Sequence, residues 1–171
     1  MVYPASFLVN VFITGIGATL VMDAWTLCRK RMFGIAPPDY ALVGRWFAHM
    51  IHGRFRHEAI AAAAAVPGET GIGWTAHYLT GLGFAALLPV LWGEAWLRQP
   101  ALGPALLVGI CTVAAPFLLM QPGMGAGIAA SRTRHPAAAR LHSLLTHGVF
   151  GIGLYFAGSV SSAALATLAR P

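Results

Sequence analysis

Four apolar runs, each long enough to cross a lipid bilayer, constrain this chain more than any other feature of its sequence. A transmembrane helix needs about 20 predominantly apolar residues. Runs of that length lie at about residues 6–27, 71–96, 101–121 and 141–166. Pro89 and Pro116 fall inside two of them, where neighbouring helices can satisfy the carbonyl groups that a proline leaves free. The sequence therefore predicts an all-α polytopic membrane protein, with residues 1–171 forming one domain of four transmembrane helices in a bundle.

The composition argues against a water-soluble domain. Hydrophobic residues make up 57% of the chain and charged residues only 9%, with a mean hydropathy of +0.69, whereas a soluble domain carries about 25% charged residues. The net charge of +6 is spread between the apolar runs, which favours anionic lipid over nucleic acid as its partner. Cys28 and Cys111 form no CxxC motif, so thiol redox chemistry has little support.

The basic residues predict how the chain is oriented. The connections after the first and third runs contain Arg29, Lys30, Arg31, Arg45, Arg54, Arg56, Arg132, Arg134 and Arg140. Lys and Arg accumulate in cytoplasmic loops, so both connections are expected in the cytoplasm and both termini outside. In the long first connection, apolar residues on one helical face predict a short interfacial helix at about residues 40–60, and the alanines that follow it favour helix up to Pro67.

Three titratable side chains inside the apolar runs predict a polar site. With the orientation above, Asp23, His77 and His147 all lie in the cytoplasmic half of their helices, within two or three turns of the helix ends. Small residues share their helical faces, which is typical of helix–helix contacts in membranes. An ionisable group at this depth costs about 2.5–3.5 kcal/mol unless it has a partner. We therefore expect Asp23 to pair with a histidine and to fix its tautomer.

Several ligands fit such a site. The predicted ligand or proton site comprises Asp23, His77, His147, Glu69, Gln121, Tyr78 and Trp74. Two histidines and one carboxylate (Asp23, His77 and His147) suit a transition metal, and the two histidines could instead be opposed ligands of a haem iron. A small polar ligand, with redox or proton chemistry, is the third alternative. Glu69 lies on the helical face of His77 if the second helix begins early, and it could approach Arg45 or His77.

Two other functional classes stay open from the residues alone. The histidines could form only hydrogen bonds between helices, worth about 0.6 kcal/mol each, in an accessory subunit of a larger membrane complex. Alternatively, the titratable groups could line the path of a proton-coupled transporter. Four helices are few for a transporter, so that interpretation requires a dimer or another homo-oligomer.

Five stretches resemble one known family across nearly the whole chain. They are GIGATLVMDAW, VGRWFAHMIHGRFRHEAI, GETGIGWTAHYLTGLGFA, QPGMGAGIAASRT and LLTHGVFGIGLY, and they resemble a bacterial membrane-protein family known as domain of unknown function 2938. The positions that match its motifs include Asp23, Arg45, Trp46, His57, Glu69, Trp74, His77, Tyr78, Gln121 and His147. The resemblance implies a small polytopic protein of the bacterial inner membrane and implies no particular activity.

Overall fold

Seven α-helices make up most of the part of the chain that the structure describes. The computed structural model describes residues 4–168. Its helices are α1 (Pro4–Phe33), α2 (Tyr40–Ile51), α3 (Glu69–Trp92), α4 (Glu94–Arg98), α5 (Leu102–Cys111), α6 (Gln121–Met124) and α7 (Pro136–Leu168). Helical turns at Ile60–Ala62, Pro116–Met120 and Ile128–Ala130 lie between them. No strand occurs within the described range, which confirms the predicted all-α class.

The four predicted long helices are all present, with shifted ends. Among residues 4–168, four segments are long and apolar enough to cross a membrane: Ser6–Phe33, Glu69–Trp92, Leu102–Met124 and Pro136–Leu168. The second ends at Trp92 instead of about residue 96 because Gly93 takes a positive φ of 73°, which breaks the helical path. The third is irregular: a π-helical turn at Pro116–Met120 follows α5, as expected where a proline lacks its N–H group.

Helix α1 packs between α7 and α3. Gly17 and Ala18 meet Ala157 and Gly153 of α7 so closely that a Cβ on Gly17 would lie 2.6 Å from that of Ala157. On another face of α1, a Cβ on Gly15 would lie 2.8 Å from the Cα of Leu82 in α3. In addition, a Cβ on Gly81 of α3 would meet the side chain of Thr19, so residue numbers rise in α1 as they fall in α3 and α7, and α1 is antiparallel to both neighbours. The polar groups near the end of α1 therefore lie at the level of the first turns of α3 and α7.

Helix α2 lies against the first turns of α3 through two glycines. A Cβ on Gly44 would lie 2.6 Å from the backbone nitrogen of Gly73, and a Cβ on Gly73 would lie 3.0 Å from that of Gly44. The two backbones therefore touch, and only glycine leaves room for this contact. Helix α2 is also shorter than the interfacial helix predicted at about residues 40–60, since it ends at Ile51.

The alanine-rich stretch after α2 was expected to be helical and, apart from the turn at Ile60–Ala62, is not. Its carbonyl groups bond to side chains of α2 instead. Nη1 of Arg45 donates to the carbonyls of residues 60, 61 and 63 at 3.3, 3.3 and 3.0 Å. Nε2 of His49 lies 3.1 Å from the carbonyl of Ala64. A cation on the preceding helix thus takes the acceptors that a helix would have used internally, and helix propensity is a weaker influence than such tertiary contacts.

Candidate functional site

Side chains from three helices meet around the carboxylate of Asp23. Nε2 of His77 lies 2.9 Å from Oδ1 of Asp23. The hydroxyl of Tyr78 donates to Oδ2 of the same carboxylate at 2.9 Å. The hydroxyl of Tyr40, from α2, lies 3.0 Å from Nε2 of His77. The side chains of His77 and Asp23 are 10% and 15% exposed, so the pair is largely buried without being sealed.

Tyr40 reaches this site because of how α2 begins. The side chain of Asp39 accepts a hydrogen bond from the backbone N–H of Ala41 at 2.9 Å, which caps the helix and makes Tyr40 its first residue. The Tyr40 ring then stacks beside Trp74 and His77, with centroid separations of 4.3 and 4.4 Å. Burial, together with the negative charge of Asp23, raises the pKa of Tyr40 above its ordinary value, so this phenol stays protonated.

Nε2 of His77 lies within hydrogen-bonding distance of both Asp23 and Tyr40, and this limits which atoms of the site can carry a proton. A carboxylate only accepts, so Nε2 of His77 carries the proton that binds Oδ1 of Asp23. The hydroxyl of Tyr40 then either accepts a second, weaker hydrogen bond from the same N–H group or donates its own proton to the carboxylate. In the neutral ring Nδ1 of His77 is then the nitrogen without a proton, and it has no hydrogen-bond partner among residues 4–168. The pair therefore presents Nδ1 of an imidazole ring whose orientation a buried carboxylate fixes.

A second polar cluster fixes α2 beside the site. Arg45 and Glu69 form a bidentate ion pair, with Nε to Oε2 and Nη2 to Oε1 both at 2.8 Å. Of the two partners considered for Glu69, Arg45 is the observed one. Oε2 of Glu69 also accepts the backbone N–H of Val66 at 3.0 Å. The hydrogen bond to Glu69 raises the pKa of Arg45, and the cluster ties α2, residues 60–66 and the start of α3 together.

The imidazole of His147 bonds to α5. Its Nδ1 lies 3.2 Å from the carbonyl of Gly109 and 3.1 Å from Oγ1 of Thr112, and that hydroxyl donates to the same carbonyl at 2.7 Å. Nδ1 of His147 therefore carries the proton, the opposite tautomer to His77. Gly109 permits this contact because a Cβ there would lie 2.7 Å from the carbonyl oxygen of His147.

The predicted three-ligand metal set is not assembled. No group of three or more His, Cys, Asp or Glu side chains in the described part of the chain could hold a metal ion. Asp23 and His77 are paired, but the Nδ1 face of His147 is turned to α5. In the described residues Asp23 and His77 thus form a pair of potential ligands beside the phenols of Tyr40 and Tyr78, and metal binding stays a prediction.

The remaining predicted residues lie around these contacts. Trp74 flanks the site, with its ring centroid 6.3 Å from that of Tyr78. Gln121 forms no hydrogen bond with Asp23 or His77, and its Oε1 is buried without a hydrogen-bond partner in residues 4–168. The sequence reasoning missed Tyr40 and Thr112. The Pro-Pro-Asp segment that precedes Tyr40 marks a helix start, and this signal could have placed Tyr40 at the end of α2 nearest α3.

Comparison with known proteins identifies a family. No curated protein and no solved structure matches the chain significantly. The family model described as protein of unknown function (DUF2938) matches residues 12–161. That range includes every side chain of the site around Asp23 and covers most of the sequence. The chain therefore belongs to the DUF2938 family.

Proposed function

We propose that the chain is an integral protein of the bacterial inner membrane, with its four long helices packed as a bundle. Large apolar side chains remain exposed along these helices, including Leu8 at 66%, Phe12 at 57% and Leu91 at 62%, and lipid would cover them at no cost. Nine of the 11 basic residues lie at the end where α2 sits. This asymmetry supports a cytoplasmic location for that end and outside locations for both termini.

Within this protein, the site around Asp23 binds a small polar ligand and exchanges a proton with it. The observation that carries this proposal is the position of Nε2 of His77, 2.9 Å from Asp23 and 3.0 Å from Tyr40. A carboxylate that holds one ring nitrogen in its protonated form leaves the other as a base. Acid–base catalysis by histidine depends on this arrangement, in which a carboxylate fixes one ring nitrogen and the other nitrogen exchanges a proton.

The ligand class follows from the atoms that line the site. Nδ1 of His77 accepts a proton or hydrogen bond, and the rings of Trp74, Tyr40 and Tyr78 provide flat apolar surface with polar edges. A compact ligand with a hydroxyl or amine group would satisfy both features. A transition metal or haem iron is the alternative occupant because an unprotonated imidazole is a metal ligand. The absence of a third ligand in the described residues favours the polar molecule.

The tautomer of each histidine tests the proposal. The full chain, labelled with ¹⁵N-histidine and held in lipid nanodiscs, would be studied by NMR, since nitrogen shifts separate protonated from unprotonated ring nitrogens. We expect His77 to be protonated at Nε2 and His147, the internal control, at Nδ1. Asp23→Asn should abolish the preference of His77 and leave His147 unchanged. A His77 ring protonated at Nδ1, or a mixture that Asp23→Asn does not alter, would refute the arrangement.

Ligand identity requires a second measurement on the same preparation. Small molecules released from the wild type and from His77→Gln would be compared by mass spectrometry, together with elemental analysis and a visible spectrum. A polar molecule retained only by the wild type supports the proposal, whereas a stoichiometric metal or a haem band would replace it with the metal alternative. The accessory-subunit and dimeric-transporter alternatives remain predictions. Co-purification at fixed stoichiometry would support the first, and pH-dependent uptake into vesicles would support the second.

A further inference from the structure

Buried nitrogen atoms without partners occur in the last third of α1 and in the first turns of α7. They are Nε1 of Trp25, Nε and Nη1 of Arg29, and Nδ1 of His142, none of which has a hydrogen-bond partner in the described structure. Arg29 as a whole is only 5% exposed. A buried donor that lacks a partner costs about 1–3 kcal/mol, and more when it is charged. Such a cluster therefore calls for an acceptor.

The register of the two helices places these residues on facing surfaces at one level. A Cβ on Gly153 of α7 would lie 2.9 Å from the Cα of Ala18 in α1, so these two residues face each other. Arg29 lies 11 residues after Ala18, and His142 lies 11 residues before Gly153. Eleven residues are about three full turns, and the helices are antiparallel. Arg29 and His142 thus repeat the facing positions about three turns further on.

Trp25 belongs to the same surface. It lies seven residues after Ala18, about two turns further along. Its ring supports the guanidinium of Arg29, with Cζ of Arg29 lying 5.9 Å from the ring centroid, within the range of a cation–π contact. The tryptophan thus orients the cation while its own N–H remains without an acceptor.

The described residues offer Arg29 no counter-charge. The chain has five acidic residues. Asp23 pairs with His77, Glu69 with Arg45 and Glu94 with Arg98. The other two are Asp39, which caps α2, and Glu58, which is exposed on the connection after α2. A buried charge without compensation is strongly destabilising, so the compensating anion is expected from outside the chain.

We propose that Trp25, Arg29 and His142 bind a phosphate-type oxyanion between α1 and α7. Guanidinium and indole N–H groups are donors only, and a tetrahedral oxyanion offers several acceptors at once. Its charge would compensate Arg29, and its remaining oxygens would accept from Trp25 and His142. The oxyanion comes either from a lipid headgroup or from free phosphate. This site is separate from the pair of Asp23 and His77 and does not depend on the function proposed for it.

Thermal unfolding of the full chain in a phosphate-free maltoside detergent tests the site. The probes are inorganic phosphate, balanced with chloride at constant ionic strength, and phosphatidylglycerol added to the micelles. A ligand that binds only the folded state raises the unfolding midpoint, and the rise grows with the logarithm of the ratio of ligand concentration to dissociation constant. We expect Arg29→Gln to weaken the response about 10-fold or more, and Trp25→Phe to weaken it measurably while keeping an aromatic ring below the cation. Arg31→Gln removes the same charge from an exposed position nearby and should change the response less than about threefold.

Each result has a defined meaning. A response of the wild type to inorganic phosphate that both Arg29→Gln and Trp25→Phe weaken supports a site for free phosphate. A response to phosphatidylglycerol alone, with the same dependence on the variants, supports a headgroup site. The proposal fails if neither probe stabilises the wild type. It also fails if Trp25→Phe responds fully, or if Arg31→Gln loses as much as Arg29→Gln, since the binding would then be nonspecific. Trp25→Phe keeps the test valid even if Arg29→Gln does not fold.

Discussion

The contact between α2 and α3 predicts the effect of adding one methyl group. A Cβ on Gly73 would lie 2.7 Å from the carbonyl carbon of Tyr40 and closer still to its oxygen. Ordinary contacts of a Cβ begin at about 3.4 Å, so Gly73→Ala must move the start of α2 by at least about 0.7 Å. Both atoms belong to backbone, so a change of rotamer cannot relieve the overlap. We expect the variant to destabilise the protein.

Gly71 supplies a matched control on the same helix. A Cβ at Gly71 would meet nothing within 4 Å. Both substitutions replace glycine by alanine within α3, so the gain in helix propensity, about 0.5–1 kcal/mol, is common to them. Their difference in free energy of unfolding therefore isolates the steric term, about 1–3 kcal/mol for overpacking. Reversible unfolding in mixed micelles of detergent and sodium dodecyl sulfate measures this difference.

The same experiment distinguishes a local effect on the site from a general loss of stability. Displacing Tyr40 breaks its 3.0 Å contact with Nε2 of His77, so Gly73→Ala should shift the ¹⁵N signals of His77 as Tyr40→Phe does. Gly71→Ala should leave these signals at their wild-type positions. Equal stability of Gly73→Ala and Gly71→Ala, within about 0.5 kcal/mol, would show that α2 does not lie against α3 as described.

Three further predictions concern the connection between α1 and α3. Burial and the charge of Asp23 raise the pKa of Tyr40. The stability that the protonated phenol contributes is therefore complete below pH about 10 and is lost as the pH rises toward the pKa of Tyr40 in the folded state. The difference in absorbance between the wild type and Tyr40→Phe should show no tyrosinate from Tyr40 at pH about 10. Trp46→Phe removes the 3.0 Å hydrogen bond from Nε1 to the carbonyl of Phe55 and should cost about 0.5–1.5 kcal/mol in the same unfolding assay; no loss would contradict the bond. Arg45→Lys cannot reproduce the bidentate pair, so amide exchange should accelerate in residues 60–66, and unchanged exchange would count against the cluster.

Helix number and class could be predicted from the sequence because they depend on the length of apolar runs. A run of about 20 residues determines a membrane-length helix almost regardless of tertiary contacts. The pairing of Asp23 with His77 was also predictable in outline. Opposite helix directions and a shared end bring the two residues to one level, and glycines on their faces point them toward a neighbouring helix.

The orientation of individual rings could not be predicted in this way. His147 satisfies the same rules of depth and small neighbours as His77, yet its Nδ1 bonds to Gly109 on α5 and to Thr112 directly after that helix. Consecutive helical residues differ by about 100° in direction, so a modest rotation of α7 decides which neighbour the ring meets. The helix predicted for the alanine-rich segment is wrong for another reason. Its conformation depends on Arg45, which lies more than a dozen residues earlier in the chain.

The connection between α1 and α3 is part of the site because α2 makes polar contacts along its whole length. Tyr40 meets His77 at the start of α2, Arg45 binds Glu69 in the middle, and His49 bonds to Ala64 near the end. The long helices alone would leave Nε2 of His77 with only Asp23 beside it. Tyr40 is what closes that side of the ring, and its place depends on the glycine contact between α2 and α3. The polar surroundings of His77 are therefore set by α2 as much as by the long helices.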